Sequence, residues 1–368
     1  TLLSALEPVA GPRDSPMQVL EVLRQRIMGV VAARFDSHFV SLQQSRPPLY
    51  EAYREYVAGI ELFGEDYTRA IRHFERAVEI DADFMTPQLY IAVSYGNQGD
   101  YERAAAMIER VNAVRERLSP FERHMLTWYL ALLAGHDAEA MEAIQRARAL
   151  APRSQTLAYV AGLAAIRLNR PRQTVDTFTA FAADAFLDNR SITGSWRFNI
   201  LMQAHHMLSE YERELEVADQ AIRAFPDLLS VRGGQVRALA ALGRLDEVVR
   251  VVDESLAVQS RVGTPGELMQ SAAAELRAHG HREAGLRMAE RAVAWLENRP
   301  LAEKEKPAHR GELAHALYVA ERWDEARTLY EELSAACPVV DRKGKPPEAR
   351  LSSPATPERV RVSRAVDY

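Results

Sequence analysis

The chain has 368 residues, of which 47% are hydrophobic, 26% charged and 8% aromatic, with a formal net charge of -5. This composition is typical of a soluble helix-rich protein, and the mild charge gives no reason to expect nucleic acid or an anionic membrane as a partner. The most apolar stretches, 126–134 and 156–166, fall short of the roughly 20 residues of a membrane-spanning helix, and the single cysteine, Cys337, excludes an internal disulfide.

The N-terminal segment predicts a capping helix. The chain begins at Thr1 without a methionine, so we expect a piece of a longer protein in which residues 1–14 are the remnant of a preceding domain or linker, "TLLSALEPV" being the end of a strand. Residues 15–49 are predicted to form a capping helix and a connection, with Ser15 as N-cap, Pro16 at the first helical position and Gln18 closing a capping box. The face that we expect to cover the first repeat carries Leu20, Leu23, Ile27 and Val30.

A repeated phrase dominates residues 50–338. "DYTRA" at 66–70 returns as "DYERA" at 100–104, and the same frame of a small residue followed by apolar residues four and seven positions later continues at intervals of 34 to 41 residues. Proline follows several copies, as at Pro152 and Pro226. The frame positions are Ala70, Ala104, Ala140, Thr174, Glu214, Val248, Gly285 and Ala326.

Each repeat predicts a helical hairpin. One apolar stripe at spacings of three and four residues is followed by a polar turn such as "GNQGD" and then by a second stripe. Small residues are expected where the two helices approach most closely. The aromatic residue after the turn is expected to fill the opposite gap, at Tyr67, Tyr101, Tyr211 and Trp323.

These motifs resemble the tetratricopeptide repeat. The clearest copies are "GEDYTRAIRHFERAVEID" and "NQGDYERAAAMIERV", and the resemblance covers roughly residues 50 to 338. It implies an all-α fold, a right-handed α-α superhelix of about eight helical hairpins whose first helices line a concave, ligand-binding side. Chaperone-binding members of the family clamp a terminal carboxylate with lysine and asparagine; the matching lysines are absent here, so that specificity is not carried over.

A second resemblance concerns the N-terminal junction and the early repeats. They are similar to the linker and early repeats of multidomain bacterial signalling proteins, in which a serine/threonine kinase or winged-helix domain precedes a membrane helix, a TolB-like domain and a repeat array. This resemblance implies a sensory or docking segment of such a protein. Residues 339–368 lose the helical period and are rich in proline and charge, which predicts a disordered tail.

No catalytic signature occurs in the sequence. Phosphate-binding glycine loops, HExxH, GxSxG and a kinase catalytic loop are all absent. Two histidine groups invite a metal interpretation, His205 with His206, and His279 with His281 and Glu283. Adjacent helical residues point about 100° apart, so the first pair cannot converge on one ion unaided; we expect His205 to pack between helices, His206 to face the groove and the second group to be solvated. The sequence therefore predicts no enzyme, no metal site and no cofactor.

The repeat frame predicts a groove on the first helices, aromatic and apolar at its N-terminal end and polar and mildly basic at the other. Such a surface suits a protein or peptide with hydrophobic anchors and an acidic or carboxylate end. An alternative for any one position is packing against the neighbouring hairpin. The predicted partner-binding residues are Tyr53, Tyr56, Asn97, Tyr129, Tyr159, Arg167, Asn199, Gln203, His206, Arg237, Arg277, His315 and Tyr318, and the frame also places Phe63, Trp196 and Gln270 inward.

Three function classes stay open from the sequence. The leading prediction is a binding scaffold that takes a protein or peptide, and the main alternative is a module that self-associates into a homo-oligomer. The third class is an enzyme whose site is assembled from distant residues, which a deep pocket with a shifted pair of titrating groups would indicate. The residues do not determine the compartment; a membrane-tethered parent would place this segment in the cytoplasm or outside the inner membrane.

Overall fold

A computed structural model describes residues 8–35, 47–152, 154–179 and 192–336. Helices dominate these residues, which contain no strand, so the predicted all-α class is confirmed. The strand expected at 1–9 lies mostly, and the disordered tail expected at 339–368 entirely, outside the described residues. None of the described helices combines the length and the apolar character needed to span a bilayer.

The helices are α1 Pro16–Phe35, α2 Tyr50–Leu62, α3 Tyr67–Ile80, α4 Thr86–Asn97, α5 Tyr101–Ala113, α6 Pro120–Ala134, α7 Asp137–Leu150, α8 Gln155–Arg167, α9 Pro171–Thr179, α10 Ile192–Met207, α11 Tyr211–Ala224, α12 Leu229–Ala241, α13 Leu245–Ser255, α14 Pro265–Ala278, α15 Arg282–Glu297, α16 Leu301–Lys304, α17 Pro307–Val319 and α18 Trp323–Ala336. One 3-10 turn, Arg115–Arg117, precedes α6.

Eight helical hairpins follow from this order in the described part of the chain, as the repeat interval predicts. They pair α2 with α3, α4 with α5, α6 with α7, α8 with α9, α10 with α11, α12 with α13, α14 with α15 and α17 with α18. The small position of every repeat lies on the second helix and is buried, including the four repeats that carry threonine, glutamate, valine or glycine there. The register predicted from the sequence is therefore correct throughout.

The repeated Asp-Tyr phrase is a helix start. The carboxylates of Asp66 and Asp100 cap α3 and α5 by accepting hydrogen bonds from the backbone N–H groups of Arg69 and Arg103, at 2.9 and 3.1 Å. These bonds satisfy backbone donors that a helix N-terminus leaves unpaired. The aromatic residue that follows does not always fill a gap as predicted, because Tyr101 and Trp323 are about half exposed.

In the turn of each of these eight hairpins, one residue has a left-handed backbone conformation with positive φ. Five turns use glycine, which adopts positive φ without steric cost, whereas three use residues with a side chain. The eight residues are Gly64, Gly99, Gly135, Asn169, Ser209, Gly243, Gly280 and Glu321. The repeat thus conserves a backbone conformation where it does not conserve the residue type.

Helix α1 starts at Pro16 and contacts α2 as predicted, but its expected face is only partly covered, with Leu23 and Val30 half-buried. Leu20 and Ile27 are 54% and 47% exposed. The contact runs through Gln25, whose side-chain oxygen accepts a hydrogen bond from the Glu51 backbone at 3.1 Å, and through Gly29, where a Cβ would lie 2.0 Å from the Pro48 carbonyl oxygen. Glycine, which lacks a Cβ, lets the two backbones approach closely at this point.

The described residues divide into two compact units, one ending at Ile200 and the other beginning at Leu201. The first unit has three apolar clusters, in which Phe74, Leu126 and Ile144 are fully buried. The second has one continuous cluster that includes Met269 and Leu296. Full burial of such a side chain contributes roughly 1.5–3 kcal/mol, so each unit has a core of its own.

Candidate functional site

A polar cluster lies inside the second unit, where the repeats otherwise pack apolar residues. It consists of His206, Glu214, Arg237, Glu275 and His279, and we call it the His206 cluster. Glu214 is fully buried at the small position of its repeat. Helices α10, α11, α12 and α14 each contribute at least one member, with His279 immediately after α14.

The carboxylate of Glu214 joins two basic groups. Its Oε2 lies 2.6 Å from Nδ1 of His206, and its Oε1 accepts hydrogen bonds from Nε and Nη2 of Arg237 at 3.1 and 2.8 Å. A buried carboxylate needs such partners, because an unpaired charge in an apolar interior is strongly unfavourable. The substitution of a small residue by glutamate is therefore compensated by residues of the two neighbouring first helices.

His206 also contacts a second carboxylate through its other ring nitrogen. Nε2 lies 2.5 Å from Oε1 of Glu275, and the same oxygen lies 3.8 Å from Nε2 of His279. The Tyr211 ring packs against both imidazoles, with centroid distances of 5.3 Å to each. The cluster therefore brings two imidazoles against one aromatic ring, with the Glu275 carboxylate near both imidazoles.

This arrangement shifts the titration of its members. Hydrogen bonds to Glu214 and Glu275 raise the pKa of His206 to about 9, against the cost of burial. Burial would by itself raise the pKa of Glu275, but the hydrogen bond from His206 and the charges of His206, Arg237 and His279 outweigh it and hold that pKa below its ordinary value. At neutral pH His206 is accordingly an imidazolium that donates from both nitrogens.

Two further first-helix residues of this unit are fixed by the last hairpin. Gln270 Oε1 pairs with Nδ1 of His315. Arg277 donates to the Val319 carbonyl at 2.8 Å and to the Glu321 carboxylate at 2.9 Å. Arg237 and Arg277, predicted as a mildly basic surface, are thus paired with carboxylates of their own unit.

An exposed aromatic pair borders these residues. Tyr318 and Trp323 are 53% and 50% exposed, and their rings meet edge to face at 5.1 Å between centroids. The His315 ring stacks on Tyr318 at 6.5 Å. Aromatic side chains with a rigid mutual geometry and a large open face are the usual anchors of protein interfaces.

In the first unit, predicted inward aromatic residues contact one another. The Trp196 ring lies 6.2 Å from Phe63 and 5.6 Å from Tyr159, measured between centroids. Phe63 belongs to the first hairpin and Trp196 to the fifth, so residues far apart in sequence meet on the face that the repeat frame assigns to the groove.

Other predicted groove residues of this unit have structural roles. Tyr53, Tyr56 and Tyr129 are buried in the core, and Tyr129 donates a hydrogen bond to the Ala92 carbonyl at 2.8 Å. These three are therefore not open to a ligand, as expected where a first-helix aromatic packs against the next hairpin. The burial of Tyr129 raises its pKa.

The remaining predicted positions are partly exposed. Asn97 donates to the Tyr67 hydroxyl at 2.9 Å, and Arg167 donates to the Asp137 carboxylate at 2.8 Å. Asn199 Oδ1 is buried and has no hydrogen-bond partner within the described ranges. Gln203, on α10, is half-buried.

The first two histidines have different partners, as expected, whereas His279 is half-buried and not solvated as predicted. His205 is buried and pairs with Glu210 at 2.8 Å, which agrees with its predicted place between helices. His279 meets His206 and not its sequence neighbour Glu283, which is exposed and lies 3.8 Å from Arg287. Sequence reasoning missed Glu214 and Glu275, although a glutamate at the small position of a repeat signals a buried charge that requires partners.

No protein-family model matches the chain, and no curated protein matches it. Solved structures, in contrast, do match it. A tetratricopeptide repeat protein from Parabacteroides merdae is 13% identical over 73% of this chain and 99% of that one, with a TM-score of 0.40. Yeast Tom70 is 16% identical over 89% and 72%, with a TM-score of 0.46. NprR, solved in complex with its cognate peptide NprX, is 13% identical over 78% and 90%, with a TM-score of 0.39.

Proposed function

We propose that this chain is a helical-repeat scaffold that binds a protein or peptide. In the second unit, residues of the first helices and of the last hairpin form a surface of aromatic and polar groups held by side-chain hydrogen bonds. Pre-organised side chains lose little conformational entropy when a partner binds.

The observation that carries the proposal is the exposed pair Tyr318 and Trp323 beside Arg277. Two large aromatic rings that hold each other edge to face while remaining half exposed offer apolar area that no described part of the chain covers. Arginine and aromatic residues are enriched at interface hot spots. The partner would place an apolar side chain against the two rings.

The partner's acidic or carboxylate end is the finer part of the proposal. Arg277 and Arg282 both contact Glu321, the latter at 2.5 Å. A partner carboxylate would displace Glu321 from one of them and form a charge-assisted hydrogen bond in its place.

We further propose, from the sequence resemblance alone, that the segment is the sensory or docking part of a larger bacterial regulatory protein, and that it carries no catalytic activity of its own.

Affinity capture with matched variants tests this function. The tagged chain and the double variant Tyr318→Ala/Trp323→Ala are each used to capture proteins from the native host, and the retained proteins are quantified by mass spectrometry. The control is Tyr101→Ala/Tyr330→Ala, which removes two other partly exposed aromatic residues from second helices. A partner lost with the first variant and kept with the control supports the proposal; equal retention by all three chains contradicts it.

A second candidate function, self-association, is favoured by helix α1. Met17, Leu20, Ile27 and Val31 are each 47% to 73% exposed and are spaced by three, seven and four residues, which gives one apolar stripe. Sedimentation velocity at several concentrations tests it with the variant Leu20→Glu/Ile27→Glu. A mass that rises with concentration in the wild-type chain but not in the variant supports self-association through α1, and a constant monomer mass excludes it.

A further inference from the structure

Three side chains of the His206 cluster have the geometry of a metal site. Nitrogen atoms of His206 and His279 and a carboxylate oxygen of Glu275 all lie within 4.8 Å of one another. Glu275 and His279 are four residues apart, which places them one helical turn apart on the same face. His206 approaches that face from the last turn of α10, at 2.5 Å between Nε2 and Glu275 Oε1.

A second, independent observation is the orientation of His206. Its Nδ1 is fixed by the buried Glu214 carboxylate at 2.6 Å, and Glu214 is itself held by Arg237. A carboxylate that accepts the Nδ1–H of a histidine leaves Nε2 directed at a ligand and increases its basicity, which is the outer-shell arrangement of metal-binding histidines. Both oxygens of the buried Glu214 are thus occupied, one by His206 and the other by Arg237, which assigns Glu214 to the outer shell.

The donor set selects a class of ion. Two imidazole nitrogens and one carboxylate oxygen suit Zn²⁺ and related divalent transition metals, whereas Ca²⁺ and Mg²⁺ require mostly oxygen ligands. Ligand bonds of about 2.0–2.1 Å in a tetrahedron separate ligand atoms by roughly 3.3 Å. On binding an ion, the 2.5 Å contact between His206 and Glu275 would lengthen toward this value, and the 3.8 Å contact between Glu275 and His279 would shorten toward it.

We propose that His206, Glu275 and His279 bind a divalent transition-metal ion of the Zn²⁺ class, with Glu214 as the positioning residue that orients His206. The ion replaces the proton shared between His206 Nε2 and Glu275, and that proton passes to solvent. Three protein ligands leave one tetrahedral position for water or another ligand. The ion would cross-link α10 to α14, and its binding requires no partner protein.

The test is titration of the full 368-residue chain with Zn²⁺ alone, by isothermal calorimetry after dialysis against a chelator. We expect one ion per wild-type chain. His279→Ala should lose this binding, Glu214→Gln should weaken it roughly 10–100-fold, and His281→Ala, which removes a nearby histidine outside the three, should bind as the wild type does. Circular dichroism verifies that each variant is folded.

Co²⁺ gives a readout that does not depend on any variant. Tetrahedral coordination by nitrogen and oxygen produces visible absorption bands that six-coordinate aqueous Co²⁺ shows only weakly. Absence of these bands in the wild-type chain, absence of Zn²⁺ binding, or binding that His279→Ala leaves unchanged would each overturn the proposal, the last because it indicates adventitious binding to other histidines. Partner capture by Tyr318 and Trp323 is a separate measurement, so the two proposals can fail independently.

Discussion

Oε2 of Glu214 lies 2.6 Å from Nδ1 of His206. Glu214 occupies the small position of its repeat, where the other repeats have a small or uncharged residue. The glutamate is fully buried, and its other oxygen is held by Arg237. A repeat position that normally serves only close packing here organises an ionic network across three helices.

Replacing Glu214 by alanine should destabilise the chain even though it restores the residue that this type of repeat prefers. The change leaves His206 and Arg237 partly buried without their shared acceptor, and breaking a buried ion pair in this way typically costs about 3–5 kcal/mol. Urea unfolding of Glu214→Ala, Arg237→Leu and the double variant measures the coupling. We expect the double variant to lose less stability than the two single variants added together; additive losses would show that the pair contributes nothing jointly.

Stability of the metal-free chain should fall as the pH rises from about 6.5 to about 9. The folded-state pKa of His206 is raised to about 9 from an ordinary 6.5. The ion pairs of the charged imidazole therefore contribute fully to folding stability below pH 6.5, and this contribution is lost as the pH rises through about 9. A shift of this size corresponds to roughly 3 kcal/mol. The groups that face this imidazole are Glu214, Glu275, Arg237, His279 and Tyr211.

Chemical unfolding across this pH range, with a chelator present, compares the wild-type chain with His206→Gln. The difference in unfolding free energy between the two should shrink as the pH increases. A constant difference would mean that His206 does not change its protonation on folding. Glu275, whose pKa is lowered, loses its contribution only as the pH falls toward acidic values, outside the range used.

The substitution Ser209→Gly should stabilise the chain. Ser209 is exposed and has a φ of 57°. This left-handed conformation costs a residue with a Cβ roughly 1–2 kcal/mol and costs glycine almost nothing. We expect a gain of about 1 kcal/mol in unfolding free energy. The matched reverse change is Gly99→Ser, where φ is 77° and no atom lies within 4 Å of a new Cβ; it should cost a similar amount. A loss on Ser209→Gly would contradict the backbone explanation.

Removal of the Glu321 side chain should strengthen binding of an acidic partner. Glu321 occupies the left-handed position of the last turn and pairs with Arg277 and Arg282. In Glu321→Gly the turn relaxes and both guanidinium groups become available to a partner carboxylate. The dissociation constant of the captured partner should decrease and become more sensitive to salt. Weaker binding would instead show that Glu321 itself contacts the partner.

Sequence patterns predicted the hairpins because their determinants are local. The buried small positions from Ala70 to Ala326 and the caps at Asp66 and Asp100 follow from spacings that one repeat contains. The packing of α1 was predicted only in part, because Leu20 and Ile27 of its expected face are exposed. Its close approach at Gly29 to a distant backbone carbonyl is a contact that no periodicity reveals.

The site was predictable only in part. The frame assigned Phe63 and Trp196 to one face, and their rings do contact each other although 133 residues separate them. The frame could not distinguish Tyr56, which packs in the core, from Tyr318, which is open, because burial of a first-helix aromatic depends on the size of its neighbours in the next hairpin. The contact between His206 and His279 is likewise fixed by tertiary packing.

The most direct test of the binding function is site-specific photo-crosslinking in the native host. A photoreactive phenylalanine analogue is placed at position 318 or, as a control, at position 101, both of which hold exposed tyrosines. Our account predicts a discrete crosslinked partner from position 318 and none from position 101. No crosslinked product from position 318, or the same products from both positions, would contradict the assignment of this surface to partner binding.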